Sequence, residues 1–316
     1  MSGFPSIMCP VDFSDHSKRA LQYAARIAEH FGARLTILHV IDLTLVGSAT
    51  IGQPDLMPET RADLSAFLAS AVPDIDTRVK TRRLLVSVGS PVPQILHAAR
   101  QEQADLIVMG THGLGGYRKL FFGSTTERVL RRTDVPVLAV PLIDGDVLVP
   151  ADRLAASLDT ILAPVDFSDA STHAAHIAVG LATALRARLV LVHAVPPVHA
   201  FGRWGDRAKT RDLANVAGAR EWMDALVKSL DLPTPPLTDV RVGAPAEVIA
   251  RVADEQHARL IVMGLHGAGR LLGPGPGSVT YRVLCLAPAP VLALPEATPS
   301  TKPLSERSTA DSIGLN

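Results

Sequence analysis

Short apolar runs alternate along this chain with longer stretches in which apolar residues recur every three or four positions. Ile7 to Val11 is an apolar run with a polar tip at Asp12, the pattern of a strand buried on both faces. The spacing then changes: Ala20, Leu21, Ala24, Ile27, Ala28 and Phe31 fall on one side of a helix. Ser14 or Asp15 is placed to cap its start and Gly32 its end. Leu35 to Val40 reads as a second strand, 42–53 as loop, Met57 to Ala71 as a helix of poorer periodicity, and Leu84 to Val88 as a third strand. Pro91 suits the first turn of a helix running to about Arg100. Leu106 to Met109 is a fourth strand, Ser124 to Arg132 a short helix, and Val135 to Val140 a fifth strand closed by Pro141.

The same plan returns at a fixed offset of 154 residues. Pro10-Val11-Asp12-Phe13-Ser14-Asp15 recurs as Pro164-Val165-Asp166-Phe167-Ser168-Asp169, Val108-Met109-Gly110 as Val262-Met263-Gly264, and Pro136-Val137-Leu138-Ala139 as Pro290-Val291-Leu292-Ala293. The second copy has strands near 161–165, 189–193, 239–242, 260–263 and 290–294, and helices near 169–185, 207–230, 245–256 and 278–286. A period this long is a whole domain rather than a solenoid unit. Strands alternating with helices imply right-handed crossovers. The predicted architecture is therefore α/β: two tandem doubly wound domains, each a mainly parallel five-stranded sheet with helices on both faces. The domains span 1–142 and 158–296, joined by a linker at 143–157; residues 297–316 have little to bury and read as a disordered tail. The fifth strands, Val135 to Val140 and Ala289 to Leu294, are apolar edge candidates, which predicts that the halves pair there as an intramolecular pseudo-dimer.

Composition narrows the choices. Hydrophobic residues make up 47% of the chain and aromatics only 4%, so the cores must be built from Val, Leu, Ile and Ala. Lys+Arg and Asp+Glu balance at 31 each, without the basic excess expected of a nucleic-acid binder. Cys9 aligns with Ala163 and Cys285 with Arg131, so neither a disulfide framework nor a cysteine metal site is implied. No apolar run approaches the ~18 residues of a membrane span, and the first residues lack a basic segment followed by an apolar core. A cytoplasmic, membrane-free protein is expected.

The candidate chemistry lies at strand ends. In doubly wound sheets, ligands bind beyond the C-terminal ends of strands, where strand order reverses. Asp12 and Asp166 end the first strands there, as ligand contacts or as helix-entry caps. Gly110-Thr111-His112-Gly113 follows the fourth strand, then nine residues, then Gly123-Ser124 at a helix mouth. The second copy has Gly264-Leu265-His266-Gly267, nine residues, then Gly277-Ser278. Glycines let a backbone approach a ligand with its N–H groups exposed, and unpaired donors at a helix start favour phosphate. Ser124 and Ser278 can cap those helices and still offer a hydroxyl. Neither copy has a Walker P-loop or a dinucleotide fingerprint. His39 and His193 read as packed or hydrogen-bonded residues.

The spacing Gly-x2-Gly-x9-Gly-Ser after a fourth strand, with Pro-Val-Asp ending the first, resembles the universal stress protein family. Gly115-Gly116-Tyr117-Arg118-Lys119, Glu127-Arg128-Val129-Leu130 and Pro136-Val137-Leu138 strengthen the likeness, which covers both halves. The resemblance implies an adenine-nucleotide α-hydrolase-like fold and, as in the ATP-binding members, a site for ATP with Mg²⁺. It places Asp12 and Val40 by the nucleoside and Gly110, Gly113, Gly123, Ser124 and Thr125 at ribose and phosphates. In the second copy the matching residues are Asp166 and Ala194, then Gly264, Gly267, Gly277, Ser278 and Val279. It also implies a regulatory protein of the stress response and a possible homodimer.

Two rival readings stay open: a slow ATP hydrolase of the same fold, and a nucleotide-free interaction module. No residue pair reads as a nucleophile with its base. The copies also differ. Pro274 and Pro276 lack N–H donors, and nothing replaces Arg118 and Lys119 at the equivalent positions. The second site is therefore expected to bind ATP more weakly.

Overall fold

The computed structural model describes residues 4–42, 56–111, 123–142, 158–197, 205–230, 232, 234–265 and 278–295. The first half contains β1 (Ser6–Val11), α1 (Asp15–Phe31), β2 (Arg34–Ile41), α2 (Leu56–Ala71), α3 (Ile75–Arg78), β3 (Arg82–Val88), α4 (Pro91–Gln101), β4 (Leu106–Gly110), α5 (Ser124–Leu130) and β5 (Val137–Val140). The second contains β6 (Thr160–Pro164), α6 (Asp169–Leu185), β7 (Arg188–Val195), α7 (Gly205–Ser229), β8 (Leu237–Val242), α8 (Pro245–Glu255), β9 (Leu260–Gly264), α9 (Ser278–Leu286) and β10 (Val291–Leu294). The linker and the tail lie outside the described residues.

All ten strands form one sheet in the order β3-β2-β1-β4-β5-β10-β9-β6-β7-β8. Pairing is parallel within each half and antiparallel where β5 meets β10. The predicted pairing of the fifth strands is therefore present. Because that junction is antiparallel, the strand ends that carry the two candidate sites point to opposite ends of the sheet.

Alternation along the strands divides the core in two. Leu138, Val140, Leu292 and Leu294 face one cluster with α1, α2, α6 and α7. Val137, Ala139, Val291 and Ala293 face the other, with α4, α5, α8 and α9. Each cluster contains buried residues from both halves, so the two domains share their cores. Between α1 and α6 a cavity of about 50 Å³ is left over Leu138 and Leu292, walled by Ile27 and Phe31 on one side and by their repeat equivalents Leu181 and Leu185 on the other.

The sequence expectations differ from the structure mostly at element ends. β2 and β7 run to Ile41 and Val195, one residue beyond Val40 and Ala194. β3 and β8 start early because edge strands tolerate exposed residues such as Arg82, Arg83 and Leu237 on one side. The fifth strands start at Val137 and Val291, after the prolines, which cannot donate to a ladder. The short helix α3, four residues long, has too few positions to show a period.

Candidate functional site

Each half has the strand order 3-2-1-4-5, so the order reverses between the first and fourth strands. After β1 the chain turns to one side through α1 to β2; after β3 it crosses through α4 to β4 on the other side. The diverging connections leave a crevice beyond the C-terminal ends of β1 and β4. Asp12 follows β1 and Gly110 ends β4, on its two sides.

A closed set of hydrogen bonds holds Asp12. Its Oδ1 accepts from the Ser14 backbone N–H (3.1 Å) and from the Ser14 hydroxyl (2.5 Å). Ser14 Oγ accepts in turn from the N–H of Ser17 at 3.2 Å. Ser17 Oγ accepts from the Asp12 N–H (3.3 Å) and donates to the Ser14 carbonyl (3.0 Å). Ser14 is thus the N-cap of α1, and Asp12 braces the cap instead of being it. Its second carboxylate oxygen takes no hydrogen bond among the described residues. Phe13, between them, has a φ of 65°, a left-handed conformation uncommon for a bulky residue. Its ring lies 4.3 Å from that of His39, whose Nδ1 donates to the Val11 carbonyl at 2.9 Å. A carbonyl can only accept, so the neutral ring carries its proton on Nδ1. His39 is a brace for the turn.

The second half repeats this turn. Asp166 Oδ1 accepts from Ser168 N–H (3.1 Å) and Oγ (2.5 Å), Phe167 has a φ of 62°, and His193 Nδ1 donates to Val165 O at 2.7 Å. Asp12 is half-buried, whereas Asp166 is exposed.

The glycine segment is pinned at its base. The Thr111 N–H donates to Val140 O at 3.1 Å, and the Gly123 N–H donates to Thr111 O at 2.7 Å. The chain therefore returns beside the point it left. Thr126 Oγ1 donates to Gly110 O at 2.8 Å, tying α5 to the end of β4; Thr280 does the same to Gly264 O at 3.1 Å. Gly110 has a packing reason to be glycine, since a Cβ there would stand 2.8 Å from the backbone oxygen of His16 in α1.

Gly123 itself is the N-cap of α5 and has no side chain to cap with, so Ser124, expected as the cap, is the first helical residue. The difference matters. The first-turn N–H groups are left for partners outside the helix, and the Ser124 hydroxyl is exposed. Thr125 is half-buried beside it. Val40 and Ala194 lie near the ends of β2 and β7, half-buried and packed on the α4 and α8 side. Gly113, Gly267, Gly277 and the side chain of Ser278 lie outside the described part of the structure; Val279 is half-buried. The structure thus gathers Asp12, Val40, Gly110, Gly123, Ser124 and Thr125 at one end of the first half. Asp166, Ala194, Gly264, Ser278 and Val279 hold the matching positions in the second.

Sequence reasoning missed Ser17 and Ser171, Thr126 and Thr280, and the left-handed Phe13 and Phe167. A signal existed: all three are identical in both copies at the same offset. Among the described residues, no group of three His, Cys, Asp or Glu side chains is arranged to hold a metal ion, and no helix is long and apolar enough to cross a membrane.

The universal stress protein family model matches residues 3–141 and 157–295, and the chain belongs to that family, twice over. A Thermus aquaticus universal stress protein is 37% identical over 138 residues, covering 43% of this chain and 98% of the relative. A universal stress protein of Mycobacterium tuberculosis is 25% identical over 294 residues, covering 90% of this chain and 95% of its own length. The crystal structure of a universal stress protein from Archaeoglobus fulgidus superposes with a TM-score of 0.66 at 22% identity, covering 93% of this chain and 99% of the other. That last likeness extends the shared fold across both halves.

Proposed function

We propose that the first half binds ATP and that the protein is a nucleotide-responsive regulator of the stress response, acting in the cytoplasm. The observation that carries this reading is the pairing of two features across the β1–β4 crevice. On one side stands Asp12, held by Ser14 through one carboxylate oxygen, the other taking no hydrogen bond among the described residues. On the other, the uncapped start of α5 presents Ser124 and Thr125 where the chain returns to Thr111. A carboxylate oxygen suits ribose hydroxyls, and first-turn N–H groups with hydroxyls suit phosphate oxygens. The family resemblance implies the same ligand at the same positions. Mg²⁺ fits as a passenger on the phosphates, with most of its shell supplied by phosphate oxygens and water rather than by a protein cage. The Ser124 and Thr125 hydroxyls and the Asp12 carboxylate are hard oxygen donors within this site.

ATP occupancy of the crevice, rather than turnover, would be the signal. No nucleophile with an adjacent base stands among the described site residues, which leaves at most slow hydrolysis by positioned water. A second reading, a nucleotide-free interaction module, draws support from the shared core, which makes the tandem one stiff unit. Equilibrium binding of ATP to the purified chain separates the first reading from the second. Product formation under turnover conditions separates a binder from a hydrolase.

A further inference from the structure

The cavity between α1 and α6 lies toward the C-terminal end of α1, away from the β1–β4 crevice and over the junction of the two halves. Leu106, Leu138, Leu260 and Leu292 are buried beneath it. Phe4, Tyr23, Phe31, Leu158 and Leu181 stand half-buried around it, so it opens to solvent at its rim. Among the described residues no polar atom faces it. Water there has no hydrogen-bond partner, and an apolar group that displaces such water gains affinity.

Charge breaks the symmetry of this seam. Arg259 is the one charged residue of the lining and the one exposed residue in it. Its repeat equivalent, Asp105, is turned into its own half, where Oδ2 accepts from the Ser6 N–H at 3.0 Å. The Arg259 N–H donates to Thr160 O at 2.9 Å, which fixes its backbone at the rim. Because only carbon faces the cavity, the aliphatic stem of Arg259 covers it and the guanidinium is directed outward. That guanidinium has no ion pair among the described residues. Size limits the occupant. One water-sized group needs about 10–15 Å³ of such space, so a cavity of about 50 Å³ takes a chain of about three to five carbons.

We propose that this cavity binds a short-chain aliphatic carboxylic acid, with its hydrocarbon chain over Leu138 and Leu292 and its carboxylate on Arg259. The proposal is independent of the nucleotide reading. A guanidinium and a carboxylate can pair through two parallel hydrogen bonds, which sets the direction of the bound chain. The chain fills the gap between α1 and α6, so occupancy stabilises the packing of one half on the other.

The test titrates pentanoate, pentan-1-ol and pentylammonium into the intact chain without nucleotide, with binding followed by ligand-observed NMR and stability by circular dichroism melts. Pentanoate is expected to bind saturably with a roughly millimolar Kd and to raise the melting temperature as it saturates. The alcohol should bind more weakly and the ammonium most weakly. Arg259→Gln, at an exposed position, should lower pentanoate affinity by about fivefold and leave pentan-1-ol unchanged. Leu185→Phe, which copies Phe31 of the first half, should fill the cavity and abolish binding of both. If that variant does not fold, the Arg259→Gln comparison decides alone. The absence of saturable pentanoate binding overturns the proposal. So does pentanoate affinity that is unchanged in Arg259→Gln, or that is matched by pentylammonium.

Discussion

Leu138 and Leu292 face each other across the antiparallel junction of β5 and β10. They are the same residue of the repeat, 154 positions apart, so the pseudo-two-fold axis passes between them. Val137 pairs with Ala293 and Ala139 with Val291, as that symmetry requires. Both leucines are nearly inaccessible, at 5% and 2% exposure, on the floor between α1 and α6. The strands that would otherwise be apolar edges are thereby consumed by each other.

That junction should make unfolding a joint event. Leu138→Ala is expected to cost about 2–5 kcal/mol, as for other large core leucines. In urea, far-UV dichroism and Trp222 emission should report a single transition, and Leu138→Ala in the first half should shift the emission transition of the second. Two separate transitions, with only the mutated half affected, would show that the halves fold independently.

Gly32 and Arg186 end α1 and α6 at equivalent positions, both left-handed, with φ of 65° and 55°. A side chain in that conformation costs roughly 1–2 kcal/mol, which glycine avoids. Arg186→Gly should stabilise the protein by about 1 kcal/mol, and Gly32→Ala, which has open space for the methyl group, should destabilise it by a similar amount. Chemical denaturation midpoints measure both; a destabilised Arg186→Gly would mean that the arginine side chain stabilises the cap by more than its backbone costs.

Cys9 lies fully buried in β1, and burial pushes its thiol well above the usual range. The neutral form is the one the fold favours. Its contribution to stability is complete below the unfolded thiol pKa of about 8.5 and declines as pH rises beyond it. Cys9→Ala, which copies Ala163 of the second half, should flatten the fall in stability between neutral pH and pH ~10. A thiol reagent should modify the half-buried Cys285 in the native protein and Cys9 only after unfolding. Rapid labelling of both in the native state would contradict this placement.

Gly110 and Gly123 separate packing from binding. At Gly110, a methyl group would collide with the His16 backbone, so Gly110→Ala should lower the melting temperature whether or not nucleotide is present. Gly123 has φ −58° and ψ 128°, a conformation open to any residue, so substitution there should leave the fold intact. Equal melting temperatures for the two variants would remove the distinction.

Much of this was legible because the chain states its plan twice. Strand cores such as Ile7–Val11 and Leu106–Met109 are apolar on both faces, and no other element fits such short runs. The fifth-strand pairing followed from apolar edges that needed cover. What stayed hidden depends on geometry that no periodicity records. The cap of α5 falls on Gly123, although serine is the better capping residue by chemistry. The left-handed Phe13 is set by the Asp12–Ser14–Ser17 hydrogen bonds and the His39 ring, contacts between residues up to 26 positions apart. Arg282 and Glu247 meet only once α8 and α9 pack together.

The central claim is a nucleotide site where β1 and β4 diverge, completed by the return of the chain to Gly123. Calorimetric titration of ATP with Mg²⁺ into the intact protein and into Gly123→Val tests it most directly, with circular dichroism melts to confirm that both are folded. The account predicts saturable binding to the parent chain and a loss of about tenfold or more in the variant, because the β-branched side chain blocks approach to the first-turn N–H groups. Undiminished affinity in a folded Gly123→Val protein would contradict it.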